Sequence, residues 1–219
     1  MEGLVYPNIA RCITTSLPSP LGGEGSGVRG DARWVGGIDF GYRNPFAAVW
    51  GYLTRDGVLV LVGEHYSRQQ PISHHAKHLP RNVTWYADPS GATERAELRR
   101  AGFTVRAAKN ALRPGIAAVN ARIQSGMLLI REGACPNLIA EAGLYRYSDD
   151  PAERYAEIPV DEHNHALSAL RYLIVMIDAH RQAGRREPDP APPPPAEPGW
   201  GPPPDAWLTV RNEELWTPL

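Results

Sequence analysis

Three short apolar runs, Val35 to Phe40, Phe46 to Leu53 and Val58 to Tyr66, are rich in β-branched and aromatic residues and bounded by turn-forming ones. They read as strands, with Arg55-Asp56-Gly57 as the hairpin turn between the second and third. The core therefore opens as a three-strand antiparallel meander. Beyond it the period changes repeatedly. The pattern predicts a short helix over Ser73 to Leu79, a strand over Val83 to Ala87, and a helix from Thr93 to Ala101 ended by Gly102. A strand over Phe103 to Ala107, a helix over Gly115 to Gln124, a strand over Met127 to Arg131 and a helix over Asn137 to Tyr145 follow. The strongest periodicity is last: Ala166, Leu167, Ala169, Leu170, Leu173, Ile174 and Ile177 recur at helical spacing within Asn164 to Ala179. That apolar face is expected to close the core. A meander followed by alternating helices and strands predicts an α/β domain with a mixed sheet flanked by helices.

The flanks have a different composition. Residues 1–33 include the Pro/Gly/Ser-rich stretch Ser16 to Gly27 and are expected to form a disordered low-complexity tail. The domain is placed at residues 34–182. A Pro-rich linker at 183–205, containing the run Pro192 to Pro195, favours extended polyproline II backbone. The tail at 206–219 carries Trp207 and Trp216, either as a docking segment or as a poorly ordered end.

Composition narrows the class. A chain of 219 residues with 42% hydrophobic content accommodates one principal domain plus appendages. A net charge of -1 excludes bulk basicity as the basis of nucleic-acid binding, so any such contact must be local. Cys12 and Cys135 lack metal-ligand spacing and suggest no disulfide framework, which fits a reducing compartment. No apolar run approaches the roughly 18 residues of a membrane span, and Met1 to Arg33 lacks the layout of a secretory signal. A cytoplasmic protein without a membrane partner is expected.

Candidate chemistry sits where strands end. Gly37-Ile38-Asp39-Phe40-Gly41 and Tyr86-Ala87-Asp88-Pro89-Ser90-Gly91 each deliver a carboxylate at the end of an apolar strand. A lone carboxylate there is costly to bury unless a metal or donors compensate, although a turn or cap also accounts for Asp39. Asp88-Pro89-Ser90-Gly91 is equally a natural type I turn and helix start. A third cluster, Asp161-Glu162-His163-Asn164-His165, leads into the last helix, where capping explains Asp161 or Glu162 by itself. Hard oxygen donors favour magnesium or manganese over zinc. His74, His75 and His78 beside Lys77 read as a solvated face. Arg43, Arg95, Arg99, Arg100, Arg106, Lys109 and Arg113 read as surface charge, with Lys109 best placed to hold a phosphate if the site handles DNA.

Taken in order, four segments resemble the nuclease domain of tailed-phage terminase large subunits, members of the RNase H-like group. They are Gly37 to Gly41 with Asn44 to Val49; Tyr86 to Gly91; Gly115-Ile116 before Gly126-Met127-Leu128; and Asn164 to Tyr172. The resemblance implies metal-dependent cleavage of concatemeric double-stranded DNA during packaging, with two Mg²⁺ or Mn²⁺ ions. It implies that Asp39 bridges both ions and Asp88 binds one, with a third acid from the start of the last helix. The family commonly carries aspartate where Ser168 stands, and aspartate or asparagine where Asn164 stands. The resemblance then leaves Asp161 or Glu162 as the substitute acid, Asn164 or His165 as a neutral ligand, and Lys109, Arg113 and Arg43 as phosphate contacts. No Gly-x-x-x-x-Gly-Lys-Ser/Thr loop is present, so a partner ATPase chain, a small terminase subunit or a portal is expected, with the gene split or truncated. Two rival readings are a weakened DNA-binding or assembly module and a resolvase- or transposase-like nuclease sharing the fold.

Overall fold

Short turns and β-rich runs determine the first layer of the structure, a computed structural model that describes residues 3–19, 32–148 and 158–184. The strands are β1 (Ile13–Thr14), β2 (Arg33–Asp39), β3 (Phe46–Leu53), β4 (Leu59–Ser67), β5 (Thr84–Ala87), β6 (Thr104–Ala107) and β7 (Leu128–Arg131). The helices are α1 (Ile72–His75), α2 (Ala92–Arg100), α3 (Leu112–Gln124), α4 (Pro136–Ala142) and α5 (His165–Gly184). Among the described residues one sheet runs in the order β1-β7-β4-β3-β2-β5-β6. The expected meander is present: β2 pairs antiparallel with β3, and β3 with β4. Parallel pairing then joins β2 to β5, β5 to β6 and β4 to β7. The result is the mixed sheet of an RNase H-like fold.

The pleat divides the core, because successive residues point to opposite faces. Val35, Ala47, Val49, Leu59, Leu61 and Tyr86 pack with α3 and α5, while Ile38, Ala48, Trp85 and Ala87 pack with Leu98 of α2. On the first face α5 lies unusually near the sheet. A Cβ on Gly37 would run into the Ala169 carbonyl oxygen and lie 3.1 Å from Leu173 Cβ. Glycine at that position is what permits the approach. A partly buried ion pair fixes the far end of the helix: Arg122 of α3 reaches Asp178 at 2.5 Å and also donates to the carbonyls of Gly57 and Met127.

Two expectations are corrected. Residues 3–19 are not a structureless tail: Val5, Tyr6, Ile9 and Cys12 are buried, and β1 pairs parallel with β7. Asn120 Nδ2 donates to the Val5 carbonyl, and Val5 N–H to that of Tyr145, both at 3.0 Å. This apolar set is too short for periodicity to register, and the neighbouring Pro/Gly/Ser composition masks it. Residues 20–31 and the 185–219 segment, with its linker and tail, lie outside the described residues.

The histidines are the second correction. His75 is fully buried, with its ring stacked on Phe46 at 3.9 Å, so it is not part of a solvated face. Its Nε2 donates to the Gln70 carbonyl at 3.1 Å, which leaves Nδ1 to accept from His65 Nε2 at 3.0 Å. His78 is exposed and stacks on His65. Burial, then the neighbouring imidazoles, pushes the His65 pKa down to about 4, and burial also lowers that of His75.

Two outcomes are expected. Gly37→Ala forces α5 off the sheet and lowers unfolding stability by roughly 1–3 kcal/mol or more, measurable by urea denaturation. Between about pH 6.5 and the His65 value near 4, the unfolded chain binds protons that the folded chain does not. Stability is therefore full above the unfolded pKa and falls on acidification through this window. Melting temperatures from pH 7.5 down to pH 4.5 will show the decline, and His65→Gln will flatten it.

Candidate metal and nucleic-acid site

The parallel register of β2 and β5 places Ile38 opposite Ala87, so Asp39 and Asp88 stand side by side at the carboxyl ends of the two strands. The Asp88 N–H donates to the Ile38 carbonyl at 3.0 Å, extending the ladder by one step. From this point the chain leaves β2 on one side toward β3 and leaves β5 on the other toward α2 and β6. Such switch points open a crevice at the sheet edge.

Each aspartate keeps a local role. Both Asp88 carboxylate oxygens accept from Ser90, from N–H at 2.9 Å and from Oγ at 2.6 Å, so the expected turn is present in the same residue that abuts Asp39. Arg95, 9% exposed and therefore no surface charge, donates to the Asp88 carbonyl from beneath. Asp39 lies on the Gly37 face of β2, under α5. One helical turn before Ala169, His165 places Nδ1 3.0 Å from Asp39 Oδ2.

The electrostatics of this pair are opposed. Burial raises the Asp39 pKa and the Asp88 charge adds to the rise, while the hydrogen bond and charge of His165 and the charge of Arg171 pull it down. His165 is also raised, first by its hydrogen bond to Asp39, against burial. A strong ion pair by itself would depress the aspartate. Here desolvation outweighs the imidazole, and both groups lie above their ordinary values.

The position of His165 rests on Glu141, which no sequence signal singled out. Glu141 is 5% exposed; its Oε2 accepts from the N–H groups of Ala166 at 2.7 Å and Leu167 at 3.1 Å. Its Oε1 accepts from Tyr66 Oη at 2.8 Å. The carboxylate thus caps α5 from another helix. Glu64 of β4 does the same for α4, accepting from the N–H groups of Asn137 at 2.7 Å and Leu138 at 3.0 Å. Local capping by Asp161 or Glu162 is not what occurs. His163 takes a left-handed φ of 52°, Asp161 Oδ1 accepts from Asn164 Nδ2 at 2.9 Å, and both acids are exposed. The signal that could have found Glu141 was a lone acid within an otherwise apolar helix, Leu138 to Ala142.

Of the sequence-selected residues, the structure brings together Asp39, Asp88 and His165, with Asn164 half-buried at the helix start. Asp161 and Glu162 stay at the surface of the preceding turn. Arg43 in the β2–β3 turn and Lys109 just after β6 are exposed at the same sheet edge, and Arg113 is exposed in the first turn of α3. Among the described residues, no group of three or more His, Cys, Asp or Glu forms a ready metal cage. None of the helices described is long and apolar enough to cross a membrane.

Comparison with known proteins follows the same geometry. A family described as "Terminase RNaseH-like domain" matches residues 36–177. A large terminase from a thermophilic bacteriophage is similar in structure, with a TM-score of 0.67 and 23% identity, over 80% of this chain and 44% of that one. The P22 large terminase nuclease domain gives 0.65 and 17% identity, over 81% of this chain and 93% of that one. The large terminase nuclease domain from bacteriophage SPP1 with bound Mn gives 0.54 and 20% identity, covering 67% and 86%. A comparison with curated protein sequences gives no match. The chain spans less than half the length of the thermophilic phage's large terminase. With the family match running from β2 into α5 across well over half of its residues, this chain belongs to the terminase RNase H-like domain family.

Proposed function

We propose that this domain is the nuclease module of a terminase large subunit, a metal-dependent endonuclease that cleaves concatemeric double-stranded DNA during genome packaging. The observation that carries the reading is the side-by-side placement of Asp39 and Asp88 at the carboxyl ends of β2 and β5, inside the family match. Two hard carboxylates at a crevice fit a magnesium or manganese ion, and related nuclease domains have been solved with bound Mn and bound Magnesium. Such ions, when bound, would supply a nucleophilic hydroxide and charge stabilisation for the leaving oxygen. The chain's own residues do the rest. Asp39 and Asp88 would hold the ions, two in the arrangement implied by the resemblance. His165 and Asn164 are neutral donors at the helix start, and Asp161 and Glu162 are the acids that can approach from the preceding turn. Lys109, Arg113 and Arg43 hold backbone phosphates at the sheet edge, where charge on the DNA dominates affinity. The ATPase is supplied by another chain or segment, with a small subunit or portal as further partners.

A second reading is supported by Ser168, neutral and half-buried one helical turn from Asn164. With that position lacking charge, the domain could hold DNA or a packaging partner as a weakened module. Calorimetry separates the two: DNA affinity without manganese affinity selects the module.

Under the leading reading, manganese supports cleavage of plasmid DNA. Asp39→Asn reduces the rate by more than the roughly 10- to 100-fold typical of losing a residue that only orients a metal ligand. Cleavage unaffected by that substitution removes Asp39 from the site. His165→Ala is expected to weaken Mn²⁺ binding about 10- to 100-fold by calorimetry.

A further inference from the structure

Arg171 is a buried cation near the site that the metal chemistry leaves unused. It is 6% exposed, and its guanidinium lies 4.7 Å over the Tyr172 ring. Nη1 donates to Asn110 Oδ1 at 3.2 Å. Among the described residues no carboxylate lies within ion-pair distance of it, although a buried guanidinium ordinarily requires one. Its charge instead acts at longer range on Asp39. Arg171 shares a helix face with Asn164 and Ser168, at i, i+4 and i+7.

The neighbouring backbone is shaped around this side chain. A Cβ on Gly115 would lie 2.6 Å from Arg171 Cγ and 2.8 Å from its Cδ. Glycine is a poor residue inside a helix, and here its missing side chain is the channel through which the arginine stem passes. The stem leads to Asn110, which is exposed and adjacent to exposed Lys109 in the turn between β6 and α3. The planar guanidinium lies over the ring while donating sideways to the amide, a rigid fork that the flexible ammonium of lysine does not reproduce.

We propose that Arg171 is a positioning residue for DNA: through Asn110 it clasps the β6–α3 turn onto α5, and so holds Lys109 beside Asp39 and Asp88 to take a backbone phosphate. The proposal rests on the endonuclease reading. Arg171 itself does not touch the DNA. It fixes the turn that carries the surface lysine and registers that turn to the helix that carries His165.

A double-mutant cycle tests the clasp. Fluorescence anisotropy measures affinity of the full chain for a duplex in calcium, without cleavage, across a salt series. In the wild type, Lys109→Ala is expected to reduce the slope of log affinity against log salt by about one. In the Asn110→Ala background the same change is expected to reduce it by less than about half of that, because the lysine is already unregistered. Arg171→Lys is expected to behave as Asn110→Ala does. Asn110 is exposed, so its variant remains folded, which the melting temperature verifies. Equal effects of Lys109→Ala in both backgrounds overturn the clasp and leave the endonuclease reading standing. A wild type with no affinity for duplex overturns both.

Discussion

The approach of helix α5 to strand β2 is the constraint on which the candidate site depends. Gly37 removes the side chain that would hold the helix away, and the Ala169 carbonyl occupies the vacated space. Once the helix lies that close, the residue one turn earlier must fall over Asp39, and that residue is His165. The contact is secured at both ends. Glu141 satisfies two N–H groups at the start of the helix, and the Arg122–Asp178 pair ties down its last turns. A carboxylate at a helix N-terminus gains from both hydrogen bonding and the macrodipole. Because Glu141 sits on α4, and α4 is capped by Glu64 of β4, the orientation of the site is transmitted from the meander through two carboxylate caps.

This arrangement also sets the electrostatics of Asp39. Two adjacent carboxylates repel, and burial makes the charged form of Asp39 costlier still. The protein offsets the cost with the imidazole of His165 at 3.0 Å and the longer-range charge of Arg171. Burial outweighs both, since the Asp39 pKa remains raised. Two hard carboxylates side by side are the physical link between the geometry and the proposed chemistry.

Much of the architecture was legible from local pattern, because strand and helix periodicity is a property of short windows. The last helix, expected over Asn164 to Ala179, begins at His165 and continues to Gly184. The strand from Val83 to Ala87 and the helix after it fall within about a residue of their observed limits. The departures share a cause. The segment Leu4 to Thr14 was hidden by Pro/Gly/Ser-rich sequence beside it, and its role depends on pairing with β7, more than a hundred residues away. Burial of His75 and Arg95 was equally invisible, since each polar side chain finds its partner on a different element or on a turn backbone.

The sequence by itself determined the order of the elements from β2 onward, the two acids at strand ends and the family they belong to, because each is encoded by residue types at fixed local spacing. Tertiary structure alone decided which groups complete the neighbourhood. Asp161 and Glu162 are near the last helix in sequence, yet the left-handed turn at His163 leaves them at the surface. Glu141, His165 and Arg171 gain their roles from distant partners: a helix start, a strand end and a turn after β6. Hydrogen bonds between elements depend on sheet register and helix approach, and no local window of sequence contains either.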